Sequence, residues 1–265
     1  MGRGWASRLK KGETLLVGSI FYWGHGIVKN PRRGLFDLEK AERLIVAQDR
    51  LAGTFGLGSA LDVVAQTPEA MIRYIDFVAG ATEGPIFIDA VDAGVRLAGA
   101  GHALEIGLGD RAVYNSIAPW TELEELEALR DLGVRYGVLF TARKGNGRLG
   151  IEERSKLLPG LLQKARAARL TPLVDLLLLE AKELAPLSRL AMKMREALPH
   201  PIGCGTGNVT TTWKVPGGRE EAGAMGAALN AVASLYMDFL LYGPIEGARE
   251  VFPAVGAAKL TGLPL

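Results

Sequence analysis

The sequence predicts a closed (β/α)8 barrel, the α/β fold known as the TIM barrel, and three observations predict it. The chain has 265 residues, a common length for one such barrel. Short apolar, strand-like runs alternate along it with stretches of helical period. Several of the runs are continuously apolar rather than alternating, as in Pro85–Asp89 and Leu173–Leu178, which suits parallel strands buried on both faces. No linker-like shift in composition divides the chain, so residues 1–265 are read as a single barrel domain. An open doubly wound sheet would usually carry a glycine fingerprint after its first strand, and Gly24-His25-Gly26 matches that fingerprint poorly.

The elements follow in order. The first strand is expected at Thr14–Tyr22. A helix follows from Asp37 to about Leu51, with Asp37 as N-cap and Glu39 in the first turn. The second strand is expected at Leu61–Gln66. Its helix opens at Thr67-Pro68, a capping residue followed by proline at the first helical position. The remaining strands are expected at Pro85–Asp89, Ala112–Ser116, Tyr136–Thr141, Leu173–Leu178, Ile202–Gly205 and Phe239–Tyr242. A helical stretch follows each of them.

Composition excludes several classes. Hydrophobic residues make up 48% and charged residues 23%, which fits a globular chain with a large core. The net charge of +2 offers no general excess for a polyanion, so nucleic acid is a poor partner. No apolar run approaches the roughly 20 residues that span a bilayer, and Met1–Lys11 has no apolar segment after its charges, so neither a membrane span nor a signal peptide is expected. Cys204 is the only cysteine, and no Cys/His set has zinc-ligand spacing; neither a disulfide nor a metal site is expected, and the default location is cytoplasmic.

In this fold, chemistry gathers at the C-terminal ends of the strands. Four polar groups fall there: Asp89 on the third strand, Asn115 on the fourth, Asp175 on the sixth and Asn208 after the seventh. Singly, each has a plainer reading. An Asp after a strand usually caps the next helix, as Asp92 is expected to do, and an Asn there usually shapes a turn. Together they converge on one mouth. Asp175 stands among Leu173, Val174, Leu176 and Leu177, where a carboxylate is costly unless it meets a ligand or a buried donor. Two carboxylates and two amides suit a flat heterocycle with adjacent N–H donors and ring acceptors, such as a pterin.

Other features are less specific. Trp23, Trp120 and Trp213 fall on mouth loops, where they either pack the loops or meet a ligand or partner. Two basic loops, Lys29–Arg33 and Arg143–Arg148, are expected at the mouth. They would face solvent, an acidic cofactor tail or an acidic partner. The Gly203–Gly207 stretch could cradle a phosphate, which keeps a phosphate-handling barrel open as an alternative. Cys204 reads as a small buried strand residue, and His102 and His200 as structural. His25 could reach the mouth, yet no serine–histidine–aspartate set and no H-x-x-x-H pattern accompanies it.

Several stretches resemble a known family. They are Gly18–Tyr22 with His25–Val28, Gly34–Asp37, Arg73–Val78, Phe87–Asp89, Asp110–Ile117, Gly207–Val209, and Leu240–Ile245 with Phe252–Val255. They span nearly the whole chain in order. In them the sequence resembles the H subunit of tetrahydromethanopterin S-methyltransferase and its bacterial relatives, the methylcorrinoid:tetrahydrofolate methyltransferases. The wider group of pterin-binding corrinoid methyltransferases is similar at the strand ends. The resemblance implies that Asp89, Asn115 and Asp175, with Ser116 beside Asn115, hold the pterin ring. It places Asn208 near N5 of the pterin, so that Asn208 and Asp175 take part in the chemistry. It also implies tetrahydrofolate or a related tetrahydropterin as cofactor, a corrinoid carried by a partner protein as methyl donor or acceptor, and a homodimer. Two further alternatives are another pterin enzyme, such as a dihydropteroate synthase, and a docking subunit for a corrinoid protein that lacks catalysis.

Overall fold

A computed structural model of the protein describes Trp5, Leu9 and residues 13–145, 149–212 and 219–261, with backbone alone at 211, 212, 219 and 220. Trp213 and the end of the second basic loop, residues 146–148, lie outside the described residues.

The chain enters with β1 (Leu15–Ile20), followed by a short antiparallel hairpin, β2 (Val28–Asn30) with β3 (Leu35–Phe36), and then α1 (Leu38–Phe55). Next come β4 (Gly58–Val64) and α2 (Pro68–Ala81), β5 (Ile86–Asp89) and α3 (Ala93–Glu105), then β6 (Ala112–Ile117) and α4 (Leu123–Leu132). The second half runs through β7 (Tyr136–Phe140), α5 (Ile151–Ala167), β8 (Thr171–Asp175) and α6 (Leu184–Ala197). It ends with β9 (Ile202–Cys204), a short α7 (Gly207–Thr212), α8 (Arg219–Ser234), β10 (Phe239–Pro244) and α9 (Ala248–Leu260). β1, β4–β10 form a closed barrel in chain order, every neighbouring pair parallel, and β10 closes onto β1.

Local signals explain the helix starts. Asp37 accepts from the Lys40 N–H at 3.1 Å, Thr67 from Ala70 at 3.2 Å with Pro68 first in the helix, and Asp92 from Val95 at 3.1 Å. Each such cap is worth about 1 kcal/mol. Asp92 is therefore a cap, as its position suggested.

Some boundaries differ from expectation. α1 continues to Phe55, where Gly56 ends it at φ 63°. The second barrel strand is Gly58–Val64, beginning three residues and ending two residues before the expected Leu61–Gln66. The sixth is Thr171–Asp175 rather than Leu173–Leu178; Leu176, Leu177 and Leu178 are a buried loop beyond the strand end. An apolar run marks burial, not strand, and here it continues under the mouth loops.

The interior has two cores. Outward-facing strand residues and the apolar stripes of the helices form the larger one. The second fills the barrel itself, with Val17, Ala60, Phe87, Val113, Val138 and Phe239 among its members. Trp5 belongs to this plug. Its ring lies 4.9 Å from that of Tyr136, and its Nε1 donates to the Asp110 carbonyl at 2.9 Å.

Candidate active site

Along each strand the side chain two residues past a plug residue points to the same interior face, one layer higher. Val17 is followed in this way by Ser19, Ala60 by Asp62, Phe87 by Asp89, Val113 by Asn115 and Leu173 by Asp175. Above the apolar plug the interior therefore turns polar, at the C-terminal ends of the strands. There a cavity of about 460 Å³ opens. Its lining includes Asp89, Asn115, Ser116, Asp175 and Asn208, so every residue expected at the site is present in one place. Val64, Phe140 and Leu241 supply apolar surface around the polar groups.

Asp62 also lines the cavity, and sequence reasoning did not single it out. It is only 3% exposed. One carboxylate oxygen accepts from Ser19 Oγ at 2.8 Å and the other from Asn115 Nδ2 at 3.1 Å. Burial raises its pKa to about 6, against those two hydrogen bonds, which lower it. Asp89 rises well above the usual carboxylate range, first through burial and then through the charge of Asp62, with Arg96 opposing. Asp175 is raised to about 6 by burial; the N–H groups of Leu177 and Gly205 and the charge of Arg154 pull the other way. The Leu177 N–H reaches Asp175 Oδ1 at 2.7 Å.

Two buried arginines shape the loops just beyond these carboxylates. Arg96 donates to the carbonyls of Ala90 at 2.5 Å and Val91 at 3.1 Å, and pairs with Glu125 at 2.8 Å. Tyr114 donates to the same Glu125 oxygen at 2.5 Å. Arg154, with no side-chain exposure, donates to the Leu177 carbonyl and pairs with Glu183 at 2.8 Å. Each arginine has its own carboxylate partner outside the cavity. It stabilises Asp89 or Asp175 through space without neutralising it by contact.

Glycines bring Asn208 to the mouth. Gly207 packs directly on Gly243, and a Cβ there would come within 2.6 Å of the Gly243 Cα. Gly243 itself has φ 101°, a conformation few side chains tolerate. A Cβ on Gly205 would fall 2.8 Å from Asn208 Nδ2, so the Asn208 amide lies over that glycine. On Gly203 a Cβ would sit 2.3 Å from the Phe239 carbonyl. The glycine run thus serves close packing around the cavity. Cys204 is buried, and burial pushes its thiol far up, as befits a core residue.

His25 is buried beside the site. Its Nδ1 accepts from the Phe21 N–H at 3.0 Å, so in the neutral ring Nε2 carries the proton toward Glu246 Oε1 at 2.8 Å. Tyr22 stacks on this ring at 4.4 Å and lines the cavity; burial and then the Glu246 charge raise its phenol to about 12. His25 therefore ties the loop after β1 to the turn after β10. His102 meets Asp76 at 2.6 Å on the helical layer. Trp23 is 76% exposed at the mouth, while Trp120 meets Phe140 edge-on at 6.5 Å. Among the described residues, no group of His, Cys, Asp or Glu is arranged to hold a metal ion, and no helix is long and apolar enough to cross a membrane.

The profile of the family described as tetrahydromethanopterin S-methyltransferase MtrH subunit matches residues 8–261. The chain belongs to this family. Among MtrH-family relatives, the H subunit of the tetrahydromethanopterin S-methyltransferase from Methanothermobacter thermautotrophicus is 33% identical, covering 93% of this chain and 84% of that protein. The H subunit of a putative methyltransferase, mtx, from Methanosarcina mazei is likewise 33% identical with the same coverage. In three dimensions this MtrH-family barrel is similar to Yersinia pestis dihydropteroate synthase, with a TM-score of 0.66 at 15% identity over 94% of both chains. A dihydropteroate synthase of Xanthomonas albilineans gives 0.62 at 17% identity, covering 95% and 94%. At such identities the likeness concerns the fold.

Proposed function

We propose that this MtrH-family chain is a methyltransferase that moves a methyl group between a corrinoid and N5 of a reduced pterin, tetrahydrofolate or tetrahydromethanopterin. One observation carries the reading: Asp89, Asn115, Asp175 and Asn208, from four different strand ends, line one cavity whose remaining walls include apolar surface. A pterin is a flat ring with a polar edge, and this cavity offers hydrogen-bonding groups below and apolar contact beside them. The names of the relatives, which include tetrahydromethanopterin S-methyltransferase subunits, agree with a pterin ligand.

The corrinoid, carried by a partner protein, supplies the cobalt centre that gives or takes the methyl group. The barrel supplies position and proton control. Asp89, Asn115 and Asp175 hold the ring edge, with Ser116 beside them, so that N5 faces the open mouth where the partner docks. The amide of Asn208 donates to N5, directly or through a water, as the N5–methyl bond changes. Asp175, buried and with its pKa raised to about 6, can hold or release a proton near neutral pH. Arg143, Lys144 and the Lys29–Arg33 loop favour an acidic partner or cofactor tail. A symmetric homodimer that leaves both mouths open completes the proposal, and light scattering at micromolar concentration would show it.

The decisive experiment is anaerobic incubation with methylcobalamin and either tetrahydrofolate or tetrahydromethanopterin. Loss of the methylcobalamin spectrum that depends on protein and pterin is expected. An unchanged spectrum with both pterins would overturn the transfer reaction.

A further inference from the structure

A primary amide presents an acceptor oxygen at one end and donor N–H groups at the other. For Asn115 one N–H of the donor end is engaged: Nδ2 donates to Asp62 Oδ1 at 3.1 Å. Asp62 stands between Leu61 and Val63, both fully buried, and its second oxygen takes the Ser19 hydroxyl at 2.8 Å. An ionised carboxylate can only accept, so both neighbours must turn donors toward it. Rotating the Asn115 amide by half a turn would set its oxygen against the Asp62 carboxylate at hydrogen-bond distance. In a buried setting that repulsion is poorly screened.

We propose that Asp62 is the positioning residue of this site: it fixes Asn115 with its oxygen toward the cavity, so that the wall there accepts the exocyclic amino group of the ring edge and rejects a carbonyl in its place. The inference rests on the pterin reading given above and adds to it the reason for selectivity. While ionised, Asp62 keeps the oxygen end of Asn115 turned away from itself. The discriminating group is thus the amide, and the residue that makes it discriminating does not need to touch the ligand.

The test uses two simple rings, pterin (2-amino-4-oxopteridine) and lumazine (2,4-dioxopteridine), which differ by an amino group against a carbonyl. Dissociation constants are read by fluorescence titration at pH 7, where Asp62 carries its charge. The wild-type protein should prefer pterin by roughly tenfold to a hundredfold, the span for one unpaired buried polar group. In Asp62→Leu the freed amide can turn, and the preference should fall to within about threefold, even if both rings bind less tightly. In Asp62→Asn the introduced amide can meet Asn115 with either end and Ser19 with the other, so the preference should fall there as well. Should Asp62→Leu fail to fold, Asp62→Ser serves instead; a hydroxyl accommodates either end of the amide, so it too should lose the preference. A merely structural Asp62 would weaken both rings in parallel and leave their ratio unchanged, and that result in a folded variant overturns the inference. Equal wild-type affinity for the two rings overturns it while leaving the pterin reading intact. Binding of neither ring overturns both.

Discussion

The lower and upper halves of the barrel interior are built by the same strands and differ by two residues along each. Val17, Ala60, Phe87, Val113 and Leu173 fill the lower layer; Ser19, Asp62, Asp89, Asn115 and Asp175 replace them one layer up. The lower layer is apolar packing and supplies stability. The upper layer removes three carboxylates from water, none of them paired by contact with a cation among the described residues, which opposes stability. The helical layer shows what this protein does with a charge that is only structural: Arg96 has Glu125 and Arg154 has Glu183. Buried carboxylates without a cationic partner at the strand ends fit the binding role proposed for them.

The largest expected effect breaks the comparison directly. Phe87→Ala should cost about 3–5 kcal/mol in folding stability, the range for deleting a buried ring. Asp89→Asn, two residues further along, should leave the melting temperature unchanged or raise it while abolishing tight pterin binding. Thermal melts and calorimetry on the two variants test this, and equal destabilisation by both would dissolve the distinction between the layers.

Next is Asn208. If its bond to N5 strengthens in the transition state, Asn208→Ala should lower kcat by roughly tenfold to a thousandfold with a smaller change in pterin affinity. Were Asn208 only a turn residue, Asn208→Ser would restore stability and full activity together. Steady-state kinetics alongside melts separate the two. Asp175→Ala should weaken pterin binding by about 1.5–3 kcal/mol, the range for a hydrogen bond to a charged group. Calorimetry showing unchanged affinity in a folded variant would remove Asp175 from the site.

A pH effect follows from the same carboxylates. Asp62 and Asp175 ionise near 6 in the folded protein against an ordinary value of 3.8. Between those values the folded state keeps protons that the unfolded chain has released, so these groups favour folding at low pH and lose that contribution as pH rises from about 4 through about 6. Asp175→Asn should therefore gain stability relative to wild type between about pH 4.5 and pH 7, as paired thermal melts would show. The smallest effect belongs to the rim. If Arg143 and Lys144 meet an acidic tail or partner, added salt should raise KM moderately, and a flat response would return them to solvent.

The strands were legible because each is a compact apolar run bounded by turn or capping residues, and four of the five site residues lay visibly at their ends. Ser116 came through the family resemblance. Asp62 escaped for a geometric reason. With the second strand read as Leu61–Gln66, Asp62 falls near the strand's entry, at the far end of the barrel from the mouth. The strand is Gly58–Val64, which carries Asp62 to the upper layer. Like Asp175, Asp62 is a carboxylate among apolar neighbours, and that isolation was the signal that could have found it. β2 and β3, of three and two residues, are too short for any periodicity to show. α7 was hidden because its glycine and threonines read as a loop. The pairing of His25 with Glu246 spans 221 residues and could come only from barrel closure.

Closure has one more consequence. β1 lies between β4 and β10, so the ring is complete only when the first strand has found both the second and the last. Ser19 on β1, Asp62 on β4, Asn115 on β6, Asp175 on β8 and Asn208 after β9 therefore surround one mouth only when that ring is closed. A fragment holding half of the strands would hold half of the ligand's contacts and almost none of its affinity. Occupancy of the mouth is accordingly a readout of the whole ring. A bound ligand should slow proteolysis and amide exchange in strands far from it as much as in those it touches.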